Sequence, residues 1–215
     1  EIELNLTDDA GDPALTNQQV LDRVADPDFV TELGQFNVEI NIAPRLLEGG
    51  VLAGFEEMIR ASLNHADERA REAGDHMMIV GILPTITEKL LNADVLTANP
   101  RYELINQQIF AARGEDLEIN IGGVERLSTF ADSIAPEAAC TSVQLHQLVD
   151  PDDFSRHWNA AQAVAGIQLA VGANSPFFFG KELWRETRIA LFEQSTDTRP
   201  EELKAQGVRP RVWFG

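Results

Sequence analysis

Three stretches of this chain alternate strictly between apolar and polar residues: 1–6, 36–42 and 141–146. Such alternation is typical of a β-strand with one buried face, because successive side chains point to opposite sides of a sheet. The polar positions include several potential metal ligands: Glu1, Glu3, Glu39, Asn41 and His146. A face that is merely solvated would more often include Lys, Thr and Arg. These stretches therefore predict three strands whose polar faces suit a cation.

The length and the apolar content indicate a globular fold. The chain has 215 residues, of which 44% are apolar, which is enough for a proper core and too many for a disordered segment. We expect one domain over residues 1–215. The strand pattern already present at residue 1 and the apolar residues at 212–215 suggest that this domain is a fragment of a longer catalytic domain.

The charge balance argues against one class of partner. The chain carries 17 basic and 35 acidic residues, a net charge of −18, which would repel a phosphate backbone, so we expect no nucleic-acid partner. The same acidity fits bound divalent cations, plain solubility or a salt-adapted host. The single cysteine, Cys140, excludes a disulfide framework and a four-cysteine zinc site, and we expect its thiol to be buried and inert. No apolar run has membrane-spanning length, so we expect a cytoplasmic protein without a membrane partner.

Helical periodicity and end signals predict the remaining elements. Long helices are expected over 50–74, 101–112 and 151–172, and a short one over 17–24. The continuous apolar run at 76–83 predicts a buried central strand, and 117–121 predicts another alternating strand. The third long helix is expected to bury one apolar stripe: Trp158, Ala161, Val164, Ala165, Gln168 and Leu169.

This combination of elements predicts an α+β fold. Strands with one apolar face, joined by long helices, favour a largely antiparallel sheet with helices covering its apolar side and an acidic face left open. A doubly wound parallel sheet fits less well, because it would require both strand faces to be apolar. The glycine pairs at 49–50 and 122–123 lack the spacing of a phosphate-binding loop.

The acidic residues predict a metal site. Glu1 and Glu3 project from the same side of one strand, and Glu39 lies on a matching strand, so their carboxylates would repel one another unless a cation or a proton lay between them. Oxygen ligation of this kind suits Mg²⁺ or Mn²⁺. His146, on the same predicted face, is a candidate metal ligand or phosphate contact.

Four arginines are candidates for binding an acidic substrate: Arg45, Arg101, Arg185 and Arg188. Each could instead pair with an Asp or Glu on the surface of so acidic a chain. Arginine, however, also holds carboxylates and phosphates through two parallel hydrogen bonds. Metal-binding acids combined with carboxylate-binding arginines are what an ATP-dependent ligase requires.

Five segments together resemble the catalytic domain of glutamate–cysteine ligases and related carboxylate–amine ligases. Residues 1–3 are similar to the family's opening Glu-x-Glu strand, 36–44 to its second acidic strand and 99–102 to its Pro-Arg-Tyr element. Residues 141–146 resemble the strand that carries the nucleotide-side histidine. Residues 173–188 match an Asn-Ser-Pro turn followed by a substrate-binding arginine. The segments recur in family order over nearly the whole chain.

The resemblance implies a glutamine-synthetase-like fold, with a curved sheet and metals at its floor. It implies a ligase that joins the γ-carboxyl of glutamate to an amine, expected to be that of cysteine, through an acyl phosphate at the expense of ATP. Such a reaction serves the synthesis of glutathione or a related thiol.

The resemblance also implies residue roles. Glu1, Glu3 and Glu39 would ligate Mg²⁺ or Mn²⁺, and His146 would contact a metal or the ATP phosphates. The substrate carboxylates would be held by arginines: Arg101, Arg185 and Arg188, with Arg45 as a looser match. We assign Arg188 the catalytic role.

Two other function classes fit the same residues. A metal-dependent hydrolase could use the acids and His146 to activate water, and it would act without ATP. A noncatalytic acidic binding module would leave the strand faces solvated and would not be stabilised by cations.

Overall fold

The computed structural model describes residues 1–210 and 212 and has an α+β fold with antiparallel sheets. Of the apolar carboxyl-terminal residues, only Val212 lies among the described residues. The strands are β1 Ile2–Thr7, β2 Phe29–Thr31, β3 Asn37–Ile40, β4 His76–Met78, β5 Leu117–Gly122, β6 Arg126–Ala131, β7 Phe177–Phe178 and β8 Lys181–Glu182. The α-helices are α1 Asn17–Val24, α2 Val51–Ala73, α3 Pro100–Arg113, α4 Ala135–Ala138, α5 Phe154–Gly172, α6 Thr187–Ser195 and α7 Glu201–Ala205.

The main sheet has four antiparallel strands in the order β2-β3-β1-β4. One face is apolar and packs against α1 and α2, as the alternation at 1–6 and 36–42 predicts. Buried side chains from the sheet and from the two helices form this core together: Ile2, Leu4, Leu6, Val38 and Ile40 from the sheet, and Val20, Val24, Ala66 and Ala70 from the helices. The other face carries the acidic side chains.

Local end signals explain where the long helices stop. Gly74 follows α2 with φ 91°, and its N–H donates to the carbonyls of Ala70 and Arg71. A residue with a Cβ would be strained in this left-handed conformation, so glycine ends the helix here. Local signals also set the start of α3. The Asn99 side chain accepts a hydrogen bond from the N–H of Arg101, and Pro100 is the first residue of the helix.

A second core lies under the β5–β6 hairpin. It includes Ile119 and Ile121 from β5, Leu191 from α6 and Phe178 from β7, all at most 1% exposed. The loop between β4 and α3 adds further apolar side chains to this core: Ile82, Leu83, Ile86, Leu91 and Val95.

The prediction of a buried central strand over 76–83 is wrong. Only His76–Met78 forms a strand, and it lies at the edge of the sheet. Ile79 is 58% exposed, whereas Ile82 and Leu83 leave the sheet and enter the second core. A continuous apolar run cannot distinguish one buried strand from a chain that passes between two cores.

The third alternating stretch forms less regular structure than predicted. Residues 141–146 contain one isolated antiparallel bridge, between Val143 and Ile2. Backbone hydrogen bonds join this segment to β1: the Glu3 N–H donates to the Ser142 carbonyl at 2.9 Å. The segment therefore lies beside β1 as predicted, without becoming a full strand.

The apolar stripe predicted for α5 is not buried. The helix forms as expected, after a 3₁₀ turn at Pro151–Asp153 in which the Asp150 side chain accepts from the Asp152 N–H. All of its residues are exposed, however, including Trp158 at 54% and Ile167 at 66%. Apolar residues at helical spacing predict a helix, but they do not determine whether another part of the protein packs against the apolar stripe. Across residues 1–210 and 212, no helix is both long enough and apolar enough to span a membrane.

Candidate active site

Glu3 and Glu39 face each other directly across β1 and β3, which pair in antiparallel register. Because Ile2, Leu4 and Val38 point into the core, strand parity places Glu1, Glu3 and Glu39 on the opposite face. Like charges directly opposite each other across a sheet repel. The Asn41 amide donates to Glu39 Oε1 at 2.6 Å and stabilises one of the two carboxylates.

The environment of Glu3 opposes its ionisation. Burial, followed by the charges of Glu32 and Glu39, raises the pKa of Glu3 to about 7. The Ser142 N–H donates to Glu3 Oε2 at 2.7 Å, which favours the charged form but does not reverse the shift. Glu3 is thus a carboxyl group that exchanges its proton near neutral pH.

Glu32 and Glu137 belong to the same acidic group, and the sequence analysis missed both. Glu32 follows β2, and its pKa is raised by burial and by the charges of Glu39 and Glu1. It lies two residues after Val30, which pairs with Glu39, so parity along 29–32 could have found it. Glu137 lies on the four-residue helix α4, where burial and then Glu32 and Glu3 raise its pKa to about 7. No sequence pattern marks Glu137.

His146 lies beside Glu1. Its Nε2 is 3.3 Å from Glu1 Oε1, and its side chain is 67% exposed. Backbone hydrogen bonds between Gln144 and Glu1 hold the two segments together, with the Gln144 N–H donating to the Glu1 carbonyl at 2.9 Å. The structure thus brings His146 to the acidic face, at its solvent edge.

A cleft of about 610 Å³ opens next to Glu3. Its lining combines acids, apolar side chains and one arginine: Glu3, Glu32, Glu137, Glu186, Arg188, Asn174, Gln144, Thr141, Cys140, Ile79, Val80, Ile189 and Phe192 among others. Cys140 is half-buried where a buried side chain was expected; loss of solvent, followed by the charge of Glu137, raises the pKa of its thiol, which stays un-ionised. The cleft is large enough for an amino-acid substrate and part of a nucleotide.

Arg188 is the arginine that lines this cleft. Its guanidinium donates to the Thr141 carbonyl and to the Glu186 carboxylate. It lies on α6, and the short strands β7 and β8 separate it from residues 174–176. Arg188 and Glu3 therefore line the same cavity although they are distant in the sequence.

The other three predicted arginines take different positions. Arg101, at the start of α3, lies close enough to Glu32 for its charge to lower that residue's pKa. Arg185 is exposed and precedes α6. Arg45 donates to the Met58 sulfur at 2.8 Å, on α2, the helix that covers the apolar face of the sheet. The structure therefore groups Arg101 and Arg188 with the acids and places Arg45 beside α2.

The donor atoms on this face are those that a hard cation prefers. Carboxylate and amide oxygens from Glu1, Glu3, Glu39 and Asn41 share one side of the sheet, and the charges of Glu32 and Glu39 add to burial in raising the pKa of Glu3. Within residues 1–210 and 212, no three His, Cys, Asp or Glu side chains converge closely enough to enclose an ion. Mg²⁺ usually retains waters and substrate phosphates in its coordination shell, so an incomplete protein shell still fits it.

The family of the chain follows from comparison with known proteins. No curated protein matches the chain. The family model described as glutamate–cysteine ligase family 2 matches residues 1–206, which is nearly the whole chain. The chain belongs to glutamate–cysteine ligase family 2, a family of carboxylate–amine ligases.

Proposed function

We propose that this chain is part of the catalytic domain of an ATP- and Mg²⁺-dependent ligase that joins the γ-carboxyl of glutamate to an amine, most simply that of cysteine. The observation that carries the proposal is the shared cleft, in which the acid Glu3 and the carboxylate-binding candidate Arg188 line one cavity. Membership of the family supports a ligase over a hydrolase that acts without ATP.

The acidic face would hold the nucleotide side of the reaction. Glu1, Glu3 and Glu39 would bind Mg²⁺ or Mn²⁺, with His146 at the edge as a further ligand or a phosphate contact. The bound cation would neutralise the charge of the ATP phosphates when phosphate is transferred to the substrate carboxylate. The curved sheet of a glutamine-synthetase-like fold remains part of this proposal.

The cationic side of the cleft would hold the acid substrate. Arg188 would bind the α-carboxylate of glutamate, while Arg101 and Arg185 would contribute to substrate binding from positions closer to solvent. Fixing the α-carboxylate orients the γ-carboxyl towards the acidic face, where it would be converted to an acyl phosphate. An unprotonated amine then attacks the acyl carbon, the bond from that carbon to the phosphate oxygen breaks as the amide bond forms, and the nitrogen releases one proton and keeps one N–H. Arg45 does not line this cleft, and a substrate contact from its position beside Met58 on α2 stays a prediction.

The test is to incubate the protein with ATP, Mg²⁺ and glutamate, with cysteine and other amines added one at a time. We expect ADP to form only when glutamate is present, and a γ-glutamyl amide to be detected by mass spectrometry. Hydroxylamine should trap the acyl phosphate as a hydroxamate. Nucleotide turnover that does not depend on glutamate, or substrate hydrolysis without ATP, would refute the proposal.

A further inference from the structure

A closed ring of hydrogen bonds along one wall of the cleft contains Arg188. The Thr141 N–H donates to the Gly81 carbonyl at 2.9 Å, and the Gly81 N–H donates to Asn174 Oδ1 at 3.1 Å. The Asn174 N–H donates to Glu186 Oε2 at 3.0 Å. Arg188 closes the ring, because it donates from Nε to Glu186 Oε1 and from Nη1 to the Thr141 carbonyl. All five residues line the cleft.

Glu186 occupies one edge of the guanidinium. Its carboxylate is 8% exposed and contacts both Nε and Nη2 of Arg188, while the Thr141 carbonyl accepts from Nη1. A guanidinium has five N–H donors in a rigid plane. Counting acceptors within residues 1–210 and 212, the guanidinium donates two hydrogen bonds, from Nε and Nη1, and Nη2 is in ion-pair contact with Glu186, so N–H donors remain on both terminal nitrogens. Two such donors match the two oxygens of a carboxylate.

Gly81 supplies the space in which the guanidinium lies. A Cβ atom at this position would be 2.6 Å from Arg188 Nε, 2.8 Å from Arg188 Cδ and 2.7 Å from Asn174 Oδ1. Each distance is too short for any side chain to be accommodated without displacing Arg188 or Asn174. The backbone of Gly81 does not adopt a positive φ, so its conformation does not demand glycine. Glycine is required here because a side chain would fill the space beside Arg188.

We propose that Glu186 and Gly81 are positioning residues for Arg188. Glu186 holds the inner edge of the guanidinium, Gly81 leaves room for it, and together they direct the remaining N–H donors of the terminal nitrogens to the carboxylate of the acid substrate. The inference rests on the proposed function, in which that substrate is glutamate. The positioning role of Glu186 and Gly81 explains why Arg188, among the arginines near the acids, is held in one orientation.

The test follows the Arg188 side chain directly, by NMR of the protein labelled with ¹⁵N-arginine. The Nε–H signal of Arg188 is assigned by its loss in Arg188→Lys. We expect Gly81→Ala and Glu186→Ala to shift this signal or abolish it, because each breaks the ring, while the other arginine signals stay in place. Glu186→Gln, which keeps the size and one acceptor oxygen, should give a smaller change.

Glutamate titration measures the consequence for binding. In the wild-type protein, glutamate should shift the Arg188 signal, and Gly81→Ala should weaken the affinity about tenfold or more. In an Arg188→Lys background, Gly81→Ala should have little further effect on glutamate affinity, because the guanidinium whose position it disturbs is already absent. The control is Gly54→Ala on α2, where a Cβ meets nothing within 4 Å; it should change neither the signal nor the affinity.

The outcomes separate this inference from the proposed function. An Arg188 signal that stays unchanged in both Gly81→Ala and Glu186→Ala would overturn the positioning role, as would additive effects of Gly81→Ala and Arg188→Lys on glutamate affinity. If the Arg188 signal changes in Gly81→Ala and Glu186→Ala but glutamate does not bind to the wild-type protein, the positioning of Arg188 is supported and the assigned substrate is refuted.

Discussion

Glu3 and Glu39 lie directly opposite each other on β1 and β3, so two carboxylates share the polar face of one sheet with Asn41 bound to the second of them. Burial and neighbouring acids raise the pKa of Glu3 to about 7, so a proton and a cation would compete for this carboxyl group near neutral pH. The predictions below follow from that competition and from the position of Arg188 across the cleft.

Millimolar Mg²⁺ is expected to raise the melting temperature of the protein, because an ion that binds only the folded state stabilises it by mass action. Glu3→Gln should reduce this shift. The shift should also be larger at pH 8 than at pH 6, since a proton and the cation compete for Glu3 near pH 7. Thermal unfolding followed by circular dichroism measures both effects. Glu118→Gln, on the exposed side of β5, is the control and should retain the full shift; an equal response in Glu3→Gln would contradict the metal role of Glu3.

Glu137 is expected to make the folded protein less stable as the pH rises. Its pKa is raised from 4.5 to about 7, so ionisation is unfavourable in the folded state, and the stability present below pH 4.5 is lost as the pH rises to about 7. Glu137→Gln should therefore match the wild type at pH 5 and exceed its free energy of unfolding at pH 8 by on the order of 1–3 kcal/mol.

Urea denaturation at several pH values measures this difference. The expected difference grows between pH 5 and pH 7 and is constant above that range. If the free energies of unfolding of Glu137→Gln and the wild type differ by the same amount at every pH, Glu137 is ionised in the folded protein without an energetic penalty. Glu118→Gln is again a suitable comparison, because Glu118 is exposed.

Arg188→Lys is expected to lower kcat/KM for the acid substrate about a hundredfold, which corresponds to about 2–3 kcal/mol. Lysine keeps the charge but loses the planar set of donors that Glu186, Thr141 and the substrate share. The KM for ATP should stay nearly the same. Steady-state kinetics with glutamate and ATP varied separately measure the two effects.

The control for this substitution is Arg60→Lys on α2, where Arg60 forms an exposed ion pair with Glu56 and is 68% exposed. It should leave both KM values near those of the wild type. An effect of Arg188→Lys confined to ATP would move Arg188 to the phosphate side, and no effect would reduce it to a structural ion pair with Glu186.

His146→Gln is expected to raise the KM for ATP severalfold while the KM for glutamate stays nearly constant, because His146 lies beside Glu1 at the edge of the acidic face and not in the Arg188 cleft wall. Initial rates at varied ATP and fixed glutamate measure the effect. The matched control is His157→Gln on the exposed helix α5. A change restricted to glutamate would place His146 with the acid substrate instead.

Much of the fold was predictable because its signals are local. The ends of α2 and α3 are set by Gly74, Asn99 and Pro100, and the alternation at 1–6 and 36–42 matches β1 and β3. The errors concern packing. Ile82 enters the second core where a continuous strand was predicted, and the apolar stripe of α5 is exposed. In both cases, hydrophobicity identified residues that tend to be buried without identifying what buries them.

The sequence by itself determined which acidic side chains share a face, because the two-residue period of a strand requires Glu1, Glu3 and Glu39 to point away from the core. The tertiary structure alone decided that Glu137 and Arg188 line one cleft with Glu3, and that Glu186 and Gly81 surround the guanidinium. Side-chain direction along a strand follows from local backbone geometry. A cleft between distant segments forms only when the chain closes on itself and hydrogen bonds such as those of Thr141 and Asn174 hold the segments together.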